Sequence, residues 1–177
     1  DFGLDLVVDS PADTHDDDPG DGACDDGSGS CTLRAAIDET NTEFPTINSH
    51  MTGRKTRYSF NQVIPVPHEG SLEGRCQTFN GLLRYDLETG ATQRYDYGDG
   101  VYGSEAPVAA ALGQGHSGDE TRAYPVMFTT DSNDWTSYCL IFDAADITAP
   151  IARVKIPRRI SIGFHTTWVD GSEIWDV

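Results

Sequence analysis

The sequence has few basic residues, few cysteines and no long apolar run. Its 177 residues include 12 Lys and Arg against 29 Asp and Glu, which gives a formal net charge of −17 at pH 7. This charge repels phosphate polyanions, so we expect no nucleic-acid partner. No apolar stretch approaches the roughly 18 residues that cross a bilayer, and no basic region followed by an apolar core marks a signal peptide. The sequence therefore predicts a soluble protein.

The composition favours a small protein that is mostly β. A chain of 177 residues forms one domain, or one domain with an appendage. Hydrophobic residues make up 37% of it, and aromatic residues 10%, which is too many for a fully disordered chain. The 18 glycines and 9 prolines indicate many turns.

The acidic residues are concentrated at the start of the chain. Residues 1–42 contain 12 acidic side chains and a single basic one, whereas residues 43–177 contain 17 acidic and 11 basic side chains. This contrast predicts an acidic segment (1–42) followed by a β-rich segment (43–177). Only two of the bases are lysines, and an acidic surface of this kind stays soluble at high salt, so a halophilic source is one hypothesis.

Local patterns predict one short helix and several strands. Apolar positions at Leu33, Ala36 and Ile37 fit one face of a helix that ends near Asn41. The clearest hairpin runs from Leu82 to Tyr95, with a turn in which Gly90 adopts a positive φ. The predicted strands, which suit two blade-like antiparallel sheets, are Thr56–Phe60, Thr78–Tyr85, Thr92–Tyr97, Ala123–Thr129, Tyr138–Asp143, Ile151–Ile156 and Thr166–Val169.

Local spacing alone does not identify a cofactor site. The five histidines show neither HxH nor HExxH spacing. The sequence Gly113–Gly118 matches GxGxxG, but a strand rather than a helix is predicted after it, which favours a hairpin loop over a nucleotide site. The aspartates of residues 16–26 could bind Ca²⁺, yet no EF-hand frame fits them, so a solvated acidic loop is the preferred interpretation.

Several segments in a fixed order resemble the carotenoid cleavage oxygenase family. The resemblance covers residues 43–172 and rests on Glu43–Asn48, Gly53–Tyr58, Leu83–Gly90, Gly103–Val108, Ile141–Asp146, Ile151–Pro157 and Gly163–His165. It implies the last blades of a seven-bladed β-propeller in which four histidines hold Fe(II). The sequence departs from the family pattern at Thr166, where glycine usually follows the histidine, and at Ala106, which separates Glu105 from Pro107.

The resemblance also implies roles for individual residues. His165 matches the last iron ligand, while Glu43 and Glu105 match carboxylates that orient ligating histidines. We expect His165 to point inward, with at least one of these carboxylates within hydrogen-bonding distance of its ring. Phe164 is expected to line the passage for an apolar substrate, although an ordinary core position suits it equally well.

The implied activity is oxidative cleavage of a conjugated C=C bond by O₂ at Fe(II), with a carotenoid, apocarotenoid or stilbene as substrate. This chain offers one matching histidine, so we expect it to be incomplete and inactive alone. Peripheral membrane contact and self-association through open blade edges are further expectations. An enzyme of this kind would be cytoplasmic or membrane-peripheral.

The acidic segment suggests an alternative. Residues 20–41 are similar to the CSLREAI-type motif at the start of exported right-handed β-helix proteins, where a short helix caps the first coil. On that interpretation the protein is a non-enzymatic, exported surface or interaction module. The β region would then be a scaffold.

The cysteines provide a test of the acidic segment. Cys24 and Cys31 flank an Asp/Gly/Ser loop and could close a small disulfide, whereas Cys76 and Cys139 resemble buried thiols. We expect residues 10–30 to be poorly ordered unless Cys24 and Cys31 are bonded, because they cannot bury enough apolar surface. Peptide mass spectrometry with and without reductant measures the bond, and a well-ordered loop with both thiols free would contradict this expectation.

Overall fold

The described residues form two antiparallel sheets. In the computed structural model, residues 9–12, 25, 27–31, 42–65, 78–113, 119–169 and 171 are described. They contain one turn of 3₁₀ helix, Ser49–Met51, and nine strands. The strands are β1 (Thr42–Thr46), β2 (Tyr58–Val63), β3 (Gly81–Asp86), β4 (Thr92–Asp96), β5 (Val101–Gly103), β6 (Val108–Ala110), β7 (Ala123–Asp131), β8 (Ser137–Ile141) and β9 (Ala152–Lys155). The predicted mostly β architecture with two blade-like sheets is confirmed.

The first sheet has the strand order β1-β2-β3-β4. Strands β3 and β4 form the predicted hairpin, with Gly81 opposite Asp96 and Tyr85 opposite Thr92. Gly90 has a φ of 74° and donates its N–H to the carbonyl of Asp86 at 2.8 Å. A side chain at this position would be strained, which explains why the turn uses glycine.

Asp86 holds this hairpin turn and also pairs with Arg57. Its carboxylate accepts hydrogen bonds from the backbone N–H groups of Glu88 and Thr89, at 3.1 and 3.3 Å. Arg57 contacts both oxygens, through Nε at 2.9 Å and Nη2 at 2.6 Å. These donors hold the pKa of Asp86 well below its ordinary value, with the Arg57 guanidinium as the largest cause.

The second sheet has the order β5-β7-β8-β9, and β6 also pairs with β7. Strands β5 and β6 lie along the same long strand, because β5 pairs with residues 129–131 and β6 with residues 123–125. Between them the chain leaves the regular ladder over residues 104–107. This interruption carries Glu105.

One hydrophobic core contains residues of both sheets. Phe60 and Leu82 of the first sheet belong to the same buried cluster as Met127 and Leu140 of the second. The ring of Tyr95 packs edge-on against Phe142, with centroids 5.0 Å apart. The sheets are also joined by backbone, since Gly103 donates its N–H to the carbonyl of Phe79 at 2.8 Å. The shared core and this hydrogen bond therefore fix the two sheets relative to each other.

The sequence predicted most strands but not all of them. Six of the predicted strands overlap observed ones, whereas β1, β5 and β6 were not predicted. The strand predicted at Thr166–Val169 is wrong, because that segment forms no strand. Its backbone is engaged elsewhere, since the N–H of Thr166 donates to the carboxylate of Glu105.

Some sequence predictions fall on residues outside the described ranges. The helix predicted at residues 33–39 lies there, as do Cys24, Cys76 and residues 114–118 of the GxGxxG match. Of the described cysteines, Cys31 is disulfide-bonded and Cys139 is a free thiol. Burial raises the pKa of Cys139. The described part of the chain has no helix that is both long and apolar enough to span a bilayer.

The Asp86 pairing predicts a pH-dependent loss of stability. Because its native pKa is depressed, the ion pair stabilises the fold above the unfolded pKa of about 3.9, and this contribution is lost as the pH falls. We expect Asp86→Asn to lower the urea midpoint of unfolding at neutral pH. The difference in midpoint between wild type and variant should become smaller as the pH falls toward about 3.

Asp96→Asn is the matched control for this measurement. Asp96 pairs with Arg94 at 2.7 Å, but both side chains are more than half exposed, so its loss should change the midpoint little. Equal midpoints for wild type and Asp86→Asn at neutral pH would contradict the stabilising role of the Asp86 pair.

Candidate functional site

Glu105 lies where the second sheet departs from regular pairing. Ser104 still donates its N–H to the carbonyl of Phe128 at 2.9 Å, and the carbonyl of Pro107 accepts from Val126 at 3.0 Å. Between these two bonds the N–H of Glu105 instead donates to the carbonyl of Phe164, at 3.0 Å. The interruption thus connects β7 to the segment that carries His165.

The Glu105 carboxylate contacts His165 and Thr166 at the same time. Its Oε1 lies 2.9 Å from Nδ1 of His165, and its Oε2 accepts the N–H of Thr166 at 3.0 Å. The Thr166 hydroxyl donates to the Glu105 carbonyl, also at 3.0 Å. One side chain therefore orients the imidazole and fixes the backbone next to it.

Thr166 adds a contact that glycine could not make. Glycine usually follows the histidine in the family pattern, and it could supply the N–H bond to Glu105 but not the hydroxyl bond. The departure therefore strengthens the attachment of the His165 segment to the sheet.

The two partners differ in exposure. The Glu105 side chain is 12% exposed and that of His165 is 73% exposed. The sequence predicts that His165 points inward. This prediction is wrong, because among the described residues the His165 side chain is mostly exposed. With Nδ1 against the carboxylate, the geometry suits an imidazole that carries a proton on Nδ1 and presents the lone pair of Nε2.

Three phenylalanines form a cluster beside His165, and two of them, Phe44 and Phe164, contact its ring. Phe164 stacks on Phe79 with centroids 5.3 Å apart and an interplanar angle of 16°. Phe44 meets Phe164 edge-on at 5.0 Å and His165 at 5.8 Å. Phe79 is fully buried, whereas Phe164 is half-buried and packs against the shared core. Phe44 and Phe164 therefore pack against the imidazole, and Phe79 packs against both of these rings.

The backbone at Phe44 is unusual. Its φ is 55°, and the pairing register of β1 with β2 shifts between Glu43 and Thr46. A positive φ is uncommon for a bulky residue and persists only where the surroundings hold it. The irregularity directs the Phe44 ring at Phe79, Phe164 and His165. Glu43 pairs through its backbone with Gln62, but its side chain is outside the described set, so its predicted role stays a prediction.

A buried amide lies behind Glu105. The side chain of Gln62 is fully buried. In the amide orientation that satisfies its neighbours, its nitrogen lies 3.0 Å from the carbonyl of Ser104 and 2.9 Å from the Tyr97 hydroxyl. Its oxygen lies 3.2 Å from the N–H of Ala106. Burial raises the pKa of Tyr97, so this hydroxyl stays protonated at neutral pH.

Some of these residues have a signature in the sequence and others do not. His165, Glu105 and Phe164 were candidates, and the structure brings them together. Gln62 and Phe79 were not found, because neither belongs to a motif that signals chemistry. Phe44 stands inside the Glu43–Asn48 segment that carried the resemblance, so that segment was the available signal for it.

The described donor side chains can hold only part of a metal centre. Within the residues that the structure describes, no group of three or more His, Cys, Asp or Glu side chains is close enough to hold a metal ion. His165 with its oriented imidazole fits a single ligand of such a centre. A retained ion needs several convergent donors.

Comparisons with known proteins identify the family of this chain. The family model described as "RPE65: Retinal pigment epithelial membrane protein" matches residues 4–170. Carotenoid 9,10(9',10')-cleavage dioxygenase 1 of Phaseolus vulgaris is 28% identical over 152 residues, which cover 78% of this chain and 26% of that protein. The Arabidopsis thaliana enzyme of the same name is 30% identical over 146 residues, which cover 75% of this chain and 25% of that one. The chain thus spans about a quarter of the length of these relatives.

Solved structures show the same fold. Lignostilbene dioxygenase of Pseudomonas brassicacearum superposes with a TM-score of 0.58 at 25% identity, over 73% of this chain and 27% of that one. Cobalt-substituted ACO of Synechocystis superposes with a TM-score of 0.54 at 22% identity, over 69% of this chain and 24% of that one. Since the family model covers most of the sequence, the chain belongs to the RPE65 and carotenoid cleavage oxygenase family.

Proposed function

We propose that this chain forms the C-terminal part of a non-haem iron dioxygenase that cleaves a conjugated C=C bond of a carotenoid, apocarotenoid or stilbene. The observation that carries the proposal is the 2.9 Å contact between the Glu105 carboxylate and Nδ1 of His165, on a chain of this family. A carboxylate at one imidazole nitrogen orients the other nitrogen toward a metal.

His165 is the residue that would hold iron, through Nε2. Fe(II), when bound by His165 together with further donors, supplies the chemistry that activates O₂. Glu105 keeps the proton of the neutral ring on Nδ1, so that Nε2 is a lone-pair donor. Thr166 fixes the backbone that carries the ring, through its bonds to Glu105. The residues of this chain therefore position one ligand and hold its tautomer.

The aromatic group gives the site its apolar wall. Phe44, Phe79 and Phe164 form edge-on and stacked pairs directly beside His165. Such a wall keeps water from one side of the imidazole and suits a polyene or stilbene, which offers conjugated apolar surface. Phe44 and Phe164 are both half-buried, and Phe164, next to His165 in the chain, is the one proposed to contact the substrate.

The isolated chain should retain little iron. Its described residues offer one oriented imidazole, and an imidazole site holds Fe(II) against water only with several donors. We expect less than one equivalent of Fe(II) after desalting and no cleavage of a carotenoid or stilbene. Elemental analysis and chromatography of the products measure both. Stoichiometric iron together with aldehyde products formed in O₂ would show that the site is complete in this chain.

A graft tests the activity itself. Residues 42–169 replace the aligned part of Pseudomonas brassicacearum lignostilbene dioxygenase, and iron content and aldehyde formation are measured with a lignostilbene. We expect the graft to retain iron and to cleave the substrate. Glu105→Gln in the graft should lower iron affinity or activity by about 10- to 100-fold, because it removes the carboxylate that orients the ligand. His165→Ala should remove the bound iron.

Lys55→Ala is the control for these variants. Lys55 pairs with Glu88 at 2.9 Å on the surface, with a side chain that is 83% exposed, and the graft should tolerate its loss. Circular dichroism shows whether each graft is folded before its activity is compared. A folded, iron-loaded graft that forms no aldehyde, or a His165→Ala graft with full activity, would refute the proposal.

A further inference from the structure

Gln62 supports Glu105 from inside the protein. Its amide is fully buried, and the orientation that satisfies its neighbours bonds it to the residues on either side of Glu105. In that orientation it donates to the carbonyl of Ser104 at 3.0 Å and accepts the N–H of Ala106 at 3.2 Å. No contact joins Gln62 to His165 within the described residues. Any effect of Gln62 on the imidazole must therefore pass through Glu105.

The Gln62 amide supplies hydrogen bonds to backbone groups that the regular sheet pairing does not reach. Regular pairing with β7 is interrupted between Ser104 and Pro107, so the backbone polar groups between these two bonds need other partners. The amide of Gln62 supplies a donor to one peptide group and an acceptor to the next. The Thr46 hydroxyl donates to the carbonyl of Ala106 at 2.8 Å and completes the support from the first sheet.

The chemistry of the side chain is specific to an amide of this length. A carboxylate at position 62 could accept from Ala106 but could not donate to the Ser104 carbonyl. A methionine has a similar length and shape but forms neither bond. An apolar residue would leave a buried carbonyl and a buried N–H without partners, which is costly.

We propose that Gln62 is a positioning residue for His165. It fixes the Ser104–Ala106 backbone so that the Glu105 carboxylate stays in the plane of the imidazole and holds its proton on Nδ1. This inference rests on the proposed function, because it deepens the account of how that site is built. Its direct consequence is a change in the His165 tautomer, which needs no metal to be observed.

The experiment measures the ring nitrogens of His165 by ¹⁵N NMR in the full 177-residue chain. It is done at alkaline pH, so that the two neutral tautomers of the ring are compared. His165→Ala identifies the signal. We expect the wild type to carry its proton on Nδ1, and Glu105→Gln to move it toward Nε2, because the hydrogen bond at one nitrogen selects the tautomer.

Gln62→Met is the decisive variant, and Asn61→Leu is its matched control. Asn61 is the neighbouring residue of β2, is buried, and donates to Ser59 at 3.1 Å instead of contacting residues 104–106. We expect Gln62→Met to lower the ratio of Nδ1–H to Nε2–H by about fivefold, the factor for one weakened hydrogen bond. Asn61→Leu should leave the ratio unchanged even though it costs stability.

Each outcome decides the proposal. A wild-type ratio in folded Gln62→Met, with a changed ratio in Glu105→Gln, overturns the role of Gln62 and leaves the Glu105 contact and the proposed function intact. An Nε2–H tautomer in the wild type overturns the positioning role of Gln62. The proposed function is then decided separately, by the iron content and activity of the graft. If circular dichroism shows that Gln62→Met is unfolded, Gln62→Glu replaces it. We then expect a ratio of Nδ1–H to Nε2–H between those of wild type and Glu105→Gln. A wild-type ratio in folded Gln62→Glu would contradict the proposal.

Discussion

The candidate site depends on the hydrogen bonding of three residues that leave the second sheet. Ser104, Glu105 and Ala106 lie at the interruption between β5 and β6, where their backbone groups take partners outside the regular ladder. These partners come from β7, from the first sheet and from the His165 segment. A buried backbone that must be satisfied in this way has few alternative positions, so the Glu105 side chain is held where it meets the imidazole.

The sequence was informative where chemistry and turn geometry leave a local signature. The turn at Gly90 follows from the need for a positive φ, and the pairing of Glu105 with His165, 60 residues apart, followed from the resemblance alone. Gln62 could not be found, because every residue of β2 from Ser59 to Val63 is buried. A strand buried on both faces shows no alternation, and its polar residues look like those of an exposed strand.

The error at Thr166–Val169 has a related cause. Thr166, Thr167 and Val169 have high strand propensity, but propensity reports a fit to a pleated surface and does not specify which partner the backbone takes. Here the N–H of Thr166 binds a carboxylate in place of a neighbouring strand. The short strands β5 and β6 were missed for the opposite reason, since three residues each give too little pattern to read.

The geometry also links the site to the stability of the fold. Glu105 belongs to the second sheet, Gln62 to the first, and His165 to a segment that follows both, so the contacts among them exist only when the shared core has formed. The strained φ of Phe44 depends on the same packing, because its ring is held by Phe79 and Phe164. A ligand that binds the oriented imidazole more tightly than it binds the unfolded chain stabilises the docked sheets. By the same linkage, a change that weakens the core enough to populate the unfolded state lowers the apparent affinity of His165 for a metal, even where no residue near the imidazole has changed.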